Sequence, residues 1–336
     1  MIRDRKILSL SIVLTVLVIV YILGSIFTRT GRQQEIHSVP ILTPLERESI
    51  HSFELEGGTG SVSLSIGEDG SWWIVTEDVR LPASEDKVDH FLESLLTIRT
   101  LRFATDDEEL FEDFSVAEPV RYISFRDDEG ALIKRLVLSE TEAEAGAEAG
   151  PSYVRVQPAE KIYQVDDDLS FYMRQDGNYW ADLDLFPPAV TPESVLRVDV
   201  AGDFTLSDGY NFAGAYTLVK RADGDEEWWE IISGDTGTSE ADPGETERVI
   251  TTLAELRGFA FAEDQNRAGK GLEETAASIR FESGGEEYRL IVGSPAKEEG
   301  SRYLEVSAAP YLYLVKEWAL KRIFKPGEEL ERNDAE

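Results

Sequence analysis

The stretch SEDKVDHFLESLLTIRTLRFA, residues 84–104, decides the fold of this chain, because its pattern occurs a second time. Its apolar residues recur at helical spacing between polar ones: Val88, Phe91, Leu92, Leu95 and Ile98. This spacing predicts a helix with one buried stripe and one solvent-exposed face. Ser84 is suited to cap this helix, and the acidic residues that follow it suit the positive end of the helix dipole.

The second copy is DPGETERVITTLAELRGFAFA, residues 242–262, and it aligns with the first copy without a gap. Asp242 takes the position of the cap, and Pro243 takes the first helical position, where proline is favoured. Glu245 follows the cap by three residues, as in a capping box. The shared pattern predicts equivalent helices over the full length of both stretches.

A tryptophan pair precedes each predicted helix, Trp72-Trp73 in the first copy and Trp228-Trp229 in the second. Neighbouring side chains of a strand point to opposite faces, so one ring of each pair is expected to face a core and the other to be covered at a domain interface. Further motifs match downstream in the same order: Ile123-x-Phe125 with Ile279-x-Phe281, Arg135 to Leu138 with Arg289 to Val292, Tyr153 to Val156 with Tyr303 to Val306, and Tyr163-x-Val165 with Tyr313-x-Val315. A fixed order of matching motifs indicates an internal duplication.

Each copy is predicted to be an α+β unit, a mostly antiparallel sheet with one main packed helix. Alternating apolar runs predict the strands of the first copy: Phe53 to Leu55, Val62 to Ile66, Trp72 to Val75, Tyr122 to Phe125, Leu132 to Leu138, Tyr153 to Val156 and Ile162 to Val165. The predicted organisation is a cytoplasmic stub and transmembrane anchor at 1–27, a tether at 28–45, a first repeat at 46–175, a linker at 176–193, a second repeat at 194–325 and a polar tail at 326–336.

Residues 7–27 contain 21 residues without a charge. That length matches the roughly 20 residues needed to cross a bilayer core, and a buried core helix would show a polar face. Arg3, Arg5 and Lys6 precede the segment, which favours a cytoplasmic N-terminus. Without an evident cleavage site near Gly24, the segment is predicted to be an uncleaved transmembrane helix, with the bulk of the chain outside the cytoplasmic membrane.

Composition narrows the possible functions. The formal net charge is −33, and a surface this acidic repels phosphate, so nucleic-acid binding is not expected. The chain has no cysteine, which excludes disulfides and thiolate metal sites. Its 42% hydrophobic content is sufficient for real cores.

No constellation of residues predicts catalysis, a cofactor or a metal. Asp235-Thr236-Gly237 resembles the aspartic-protease signature, but those enzymes need two such carboxylates and the chain has one. His37, His51 and His90 are scattered, and Asp166 to Asp168 lacks the alternating ligands of a calcium loop. The remaining candidates are aromatic residues for an interaction: Trp72, Trp73, Trp180, Trp228 and Trp229.

The two-copy pattern resembles the bacterial family called domain of unknown function 4340. The likeness covers about residues 46–325 and includes the tryptophan-bearing strand, the capped helix and the strand end Leu290 to Gly293. It implies partnership with gliding-type ABC transporter systems, alongside a permease, an ATPase and a second extracytoplasmic subunit. It implies no catalytic residue.

Three hypotheses follow. The first is a non-enzymatic, single-pass membrane protein that serves as an accessory or scaffold subunit of an ABC-type envelope complex. The second is an extracytoplasmic module that binds envelope glycan or peptide through exposed tryptophans. The third is an aspartyl hydrolase centred on Asp235.

Overall fold

The computed structural model describes residues 40–43, 45–57, 60–118, 121–139, 152–166, 169–234, 237–272 and 277–332. The predicted anchor at 7–27 and most of the tether lie outside these ranges. Within them, no helix is both long enough and apolar enough to cross a membrane.

Two sheets of nine strands each form the described part of the chain. The first contains β1 Ser52–Gly57, β2 Gly60–Ile66, β3 Trp72–Val75, β4 Arg80–Pro82, β5 Thr100–Thr105, β6 Tyr122–Arg126, β7 Leu132–Leu138, β8 Tyr153–Gln157 and β9 Lys161–Val165. The second contains β10 Val195–Thr205, β11 Asn211–Asp223, β12 Glu226–Ser233, β13 Gly237–Glu240, β14 Ala260–Phe261, β15 Ala277–Ser283, β16 Glu286–Pro295, β17 Ser301–Val306 and β18 Leu312–Lys316.

Helices are few and mostly short. They are α1 Glu85–Thr97, α2 Ser170–Met173, α3 Gly177–Trp180, α4 Pro243–Ala254, α5 Glu317–Ile323 and α6 Gly327–Leu330. Single 3₁₀ turns lie at Arg47–Ser49, Glu108–Leu110 and Pro192–Ser194.

The predicted α+β class is wrong as a description of this fold, which within the described residues consists of two antiparallel sheets with few helices and no transmembrane helix. Antiparallel sheet dominates, and the first sheet has nine strands where alternating patterns predicted seven. The additional strands of the first sheet are β4 and β5 at its two edges. They are short or irregular, so their alternation was too brief to reveal a strand.

The two sheets have the same strand order. The first runs β4-β3-β2-β1-β6-β7-β8-β9-β5, and the second runs β13-β12-β11-β10-β15-β16-β17-β18-β14. In both, four strands lead to one edge, the main helix follows, and the next strand forms the opposite edge. The paired registers are antiparallel throughout, as in Phe53 opposite Phe125 and Val198 opposite Phe281.

Contacts divide the chain into two compact units. One takes in the described residues up to Ser65 and Asp89–Gln175, and the other takes in Ile66–Val88 and the residues from Asp176 onward. The repeat boundaries at 46–175 and 194–325 stay predictions.

Burial explains the helix stripe that the sequence predicted. Phe91 of α1 is fully buried, and its ring lies 5.0 Å from Phe53 of β1 and 4.8 Å from Tyr172 of α2. In α4, Val249 and Leu253 are fully buried, and the Asp242 side chain accepts a 2.8 Å hydrogen bond from the Glu245 backbone N–H. The start of α4 therefore follows from capping by Asp242, and the buried stripes of both helices follow from apolar spacing.

The ends of the predicted helices are wrong. α1 stops at Thr97, and residues predicted as its last turns form β5, in which Thr100 lies opposite Val165 and Phe103 opposite Tyr163. The Asp166 carboxylate accepts a 3.0 Å hydrogen bond from the Arg99 backbone N–H. The helix ends here because the following residues pair with a strand about 60 residues away. A helical pattern of apolar residues contains no information about that distant partner.

A short helix near the end of each sheet's sequence returns to the start of the main helix. Trp180, the last residue of α3, accepts a 2.7 Å hydrogen bond at its carbonyl from the Ser84 backbone N–H. Leu330, the last residue of α6, accepts the equivalent 2.8 Å bond from Asp242. Both side chains are fully buried. We call Gly177–Trp180 with residues 181–182 and Gly327–Leu330 with residues 331–332 the closing segments.

The tryptophan pairs correspond with an offset of one residue. Ala83 donates a 2.9 Å backbone hydrogen bond to Trp72, and Ala241 donates a 2.8 Å bond to Trp229. Because Ala83 and Ala241 each precede a helix cap, Trp72 is equivalent to Trp229. Trp228 therefore has no tryptophan counterpart in the first sheet.

Candidate functional site

The predicted interaction residues fall into two groups by burial. Trp180 is 0% exposed and Trp72 is 6% exposed, so neither ring is available to a ligand. Trp73 is partly exposed, and its indole hydrogen-bonds to the carboxylate of Asp69. Trp228 and Trp229 are partly exposed and lie together at a cleft.

This cleft lies in the second unit, beside α4, and has a volume of about 510 Å³. Its walls come from the 3₁₀ turn Pro192–Ser194, from β11, β12 and the end of β13, and from α4. The lining residues are Pro192, Glu193, Lys220, Glu227, Trp228, Trp229, Glu240, Ala241, Pro243, Glu247, Ile250, Thr251 and Glu255. We call it the acidic cleft.

Strand register and helix capping position the residues of the acidic cleft. Trp229 lies opposite Lys220 in the β11–β12 ladder, so both side chains share a face of the sheet. Ile231, two residues along the strand, is fully buried on that face. The cap formed by Asp242 fixes the start of α4, which places Glu247 on the wall opposite the strands.

The charge of the acidic cleft is strongly negative. Five glutamates line it against one lysine: Glu193, Glu227, Glu240, Glu247 and Glu255, with Lys220. Lys220 forms a 2.7 Å ion pair with Glu227, and Arg332 forms an ion pair with Glu240. Within the described ranges, no cation pairs with Glu247 or Glu255.

Glu193 stays ionised easily at the rim of the acidic cleft. Hydrogen bonds from its own backbone N–H and from the Thr191 hydroxyl hold the pKa of its carboxyl below the ordinary value. A cleft with fixed carboxylates beside an indole ring attracts cationic groups, because the ring face and the carboxylates both favour positive charge.

Beside the acidic cleft, α4 also borders a surface with basic side chains. One cleft of about 610 Å³ there shares Glu247 and Thr251 with the acidic cleft and is also lined by Arg248, Arg322 and Lys325. A neighbouring cleft of about 510 Å³ includes Trp318, which is 60% exposed and lies 4.9 Å from the Arg322 guanidinium. Trp318 was missed as a candidate because it begins an apolar run, and its exposure depends on the direction of a short helix.

The other candidates acquire no site from the structure. Asp235 and Thr236 of the protease-like motif lie outside the described residues. His51 is partly buried and His90 is exposed. Across the described part of the chain, no group of three or more His, Cys, Asp or Glu side chains is placed to hold a metal ion.

Gly293 stands where another segment of backbone passes very close to a strand. It lies within β16, and a Cβ added there would stand 2.3 Å from the Lys270 carbonyl oxygen. The close approach of backbone from residue 270 requires glycine at this position.

The protein is thus built from two antiparallel sheets with the same strand order, and the second unit carries an acidic cleft with aromatic walls. Residues 73–274, more than half of the chain, match the family "Domain of unknown function (DUF4340)", and the chain belongs to that family. It is also 24% identical over 171 residues to an "Uncharacterized protein" of Treponema pallidum (strain Nichols). That match covers 49% of this chain and 53% of the relative, so the chain spans about half of the relative's length. No solved structure matches the chain significantly.

Proposed function

We propose that this protein is a non-enzymatic accessory or scaffold subunit of an ABC-type envelope complex. In this proposal the uncharged segment 7–27 holds the chain in the cytoplasmic membrane, and the two sheets lie on the extracytoplasmic side. Its partners are an ABC permease, an ATPase and a second extracytoplasmic subunit. The family's resemblance to partners of ABC-type systems supports this assembly, and the clefts around α4 offer surfaces for contacts between proteins.

We also propose that the chain carries two tandem copies of the family's domain. The observation that supports this is the shared strand order of the two sheets. Matching bridges add to it: Pro40 with Arg99 and Asp184 with Arg257 at one end, and Ala83 with Ala181 and Ala241 with Glu331 at the other. On these bridges the second copy begins near residue 184, inside the predicted linker at 176–193.

Co-purification tests the scaffold proposal. The full-length protein would be isolated from gently solubilised native membranes, and mass spectrometry would identify what accompanies it. We expect an ABC permease and an ATPase in stoichiometric amounts. Recovery of the protein alone, or in a membrane-free fraction, would overturn the proposal.

A second candidate function is binding of an envelope peptide or glycan in the acidic cleft. The observation that favours it is the partial exposure of Trp228 and Trp229 within a cleft of about 510 Å³, a volume suited to a small ligand or a short peptide segment. Titration with cell-wall fragments, followed by tryptophan fluorescence, is expected to give a saturable change. A linear or absent response would exclude the fragments as ligands.

A further inference from the structure

The place in the first sheet that corresponds to the acidic cleft holds a positively charged side chain, and the cleft has none there. The 3₁₀ turns Arg47–Ser49 and Pro192–Ser194 precede the equivalent strands β1 and β10. Phe53 of β1 lies opposite Phe125, and Val198 of β10 lies opposite Phe281, the residue equivalent to Phe125. Phe53 and Val198 are therefore equivalent, and the two turns that precede them align. Arg47 in the first sheet therefore corresponds to Pro192 in the second.

The main helices provide the other half of the comparison. Asp89 of α1 and Glu247 of α4 both stand five residues after a helix cap, at Ser84 and Asp242. In the first sheet the Arg47 guanidinium forms an ion pair with the Asp89 carboxylate. A guanidinium thus occupies this place between the 3₁₀ turn and the helix.

The second sheet keeps the carboxylate and loses the cation. Pro192 has no charge, and Glu247 forms no ion pair within the described residues; Arg248 and Lys325, which line the neighbouring cleft with it, both pair with Glu245. The place is open, because Pro192 and Glu247 both line the acidic cleft. Glu193 and Glu255 add carboxylates, and the Trp229 ring adds an aromatic wall.

We propose that the acidic cleft binds the guanidinium of an arginine side chain on a peptide segment of a partner protein, in the place that Arg47 fills in the first sheet. Arginine fits better than lysine, because its planar group pairs with a carboxylate through two N–H donors and stacks on an indole ring. A cleft of about 510 Å³ exceeds one side chain, which favours a peptide over free arginine. This inference deepens the proposed binding role of the cleft and does not depend on the ABC-type assembly.

The test uses the full-length protein in detergent and a short peptide with two arginines separated by glycine, acetylated and amidated at its ends. A peptide with citrulline in place of arginine has nearly the same shape without the charge. Calorimetric titration at about 0.15 M salt limits attraction by distant charges, since the screening length there is about 8 Å. We expect saturable binding of the arginine peptide and at least about tenfold weaker binding of the citrulline peptide, because charge-assisted hydrogen bonds are lost.

Three variants locate the binding site. Glu247→Gln removes the carboxylate that corresponds to Asp89, and we expect about tenfold weaker binding. Pro192→Arg restores the first sheet's own guanidinium, so it is expected to fill the site and weaken binding to a similar degree. Glu263→Gln is the matched control, because Glu263 is highly exposed and outside the cleft, and it should leave binding unchanged.

Several outcomes would overturn the inference. Equal losses in Glu247→Gln and Glu263→Gln would indicate general attraction to an acidic chain. Free arginine amide that binds as tightly as the peptide would exclude a peptide as the source of the guanidinium. No peptide binding, together with successful co-purification of permease and ATPase, would reject the ligand and leave the scaffold proposal standing.

Discussion

Arg302 and Glu317 form an ion pair shielded from water, with 2.9 Å between Nε and Oε1 and each side chain 7% exposed. The remaining atoms of the pair are also satisfied. Arg302 donates to the carbonyls of Gly293 and Thr205, and Glu317 accepts from the backbone N–H and hydroxyl of Ser207. The network joins β17 to the start of α5.

Removal of one partner is expected to destabilise the second unit strongly. Arg302→Ala leaves a buried carboxylate without its cation, and the free energy of unfolding should fall by about 3–5 kcal/mol. The measurement is urea denaturation of the variant against the parent protein. Arg197→Ala, which breaks an exposed pair with Asp199, is the control and should change stability by less than about 1 kcal/mol. Similar losses in both variants would contradict the importance of burial.

The same ion pair predicts that the stability of the fold decreases at acidic pH. Burial, the largest influence, raises the pKa of Glu317, but hydrogen bonds from Ser207 and Arg302 outweigh it and hold the pKa below its ordinary value of 4.5. Its contribution to stability is therefore complete above pH 4.5 and is lost as the pH falls through the lower folded pKa. Melting temperatures measured downward from pH 6 should show a smaller acid-dependent drop in Glu317→Gln than in the parent. An identical drop would exclude Glu317 as a contributor.

Tyr216 predicts a loss of stability in alkali. Its hydroxyl is buried and donates a 2.8 Å hydrogen bond to the Ile323 carbonyl, and burial raises the pKa of this hydroxyl far above its ordinary value of 10.0. Because the folded pKa is raised, stability is complete below pH 10.0 and falls as the pH rises beyond it. Tyr216→Phe should cost about 1–2 kcal/mol at neutral pH and should show a reduced alkaline decline. Thermal unfolding between pH 8 and pH 11 provides the measurement.

Two glycines that lie within strands, Gly293 and Gly214, are expected to respond differently to replacement by alanine. Gly293→Ala places a Cβ 2.3 Å from a backbone oxygen, so the sheet must shift, and we expect a loss of about 1–3 kcal/mol. Gly214 in β11 has open space at its Cβ, so Gly214→Ala should be neutral or slightly stabilising. Chemical denaturation of both variants tests the pair. A neutral Gly293→Ala would contradict the close approach of residue 270.

Trp180, in the first closing segment, is expected to contribute strongly to the free energy of unfolding, although the sequence placed it in a linker. Trp180→Ala should cost about 3–5 kcal/mol, because the side chain is fully buried. Trp180→Leu should cost clearly less, since leucine occupies the equivalent position at residue 330. Trp318→Ala, which truncates an exposed ring, should change stability by less than about 0.5 kcal/mol. Equal costs for Trp180→Ala and Trp318→Ala would refute the assignment.

Local patterns predicted much of this fold. Apolar alternation placed the central strands, and the caps at Ser84 and Asp242 placed the helix starts. The fold class failed where long-range pairing decides structure, as at Thr100 to Thr105, which becomes a strand only beside β9. A repeat seen in sequence also misaligned the tryptophans, because two adjacent identical residues conceal a shift of one position.

The acidic cleft was only partly predictable. The sequence drew attention to Trp228 and Trp229, but five carboxylates from four separate segments converge on them only in the folded chain. The significance of Pro192 depends on Arg47. Each is followed by Glu-Ser, but a two-residue match is too short to align them from sequence, and the strand register establishes the correspondence.

We expect the bridges at Ala83–Ala181 and Ala241–Glu331 to limit aggregation of the chain. Each occupies backbone just beyond an edge strand, β4 or β13, where an unpaired row of N–H and C=O groups would recruit another chain. The protection arrives late in synthesis, since the covering residue follows its edge by about 90 residues or more. A fragment cut between residues 166 and 180 would contain the whole first sheet and still expose that edge, so a fragment made for expression should extend through residue 182.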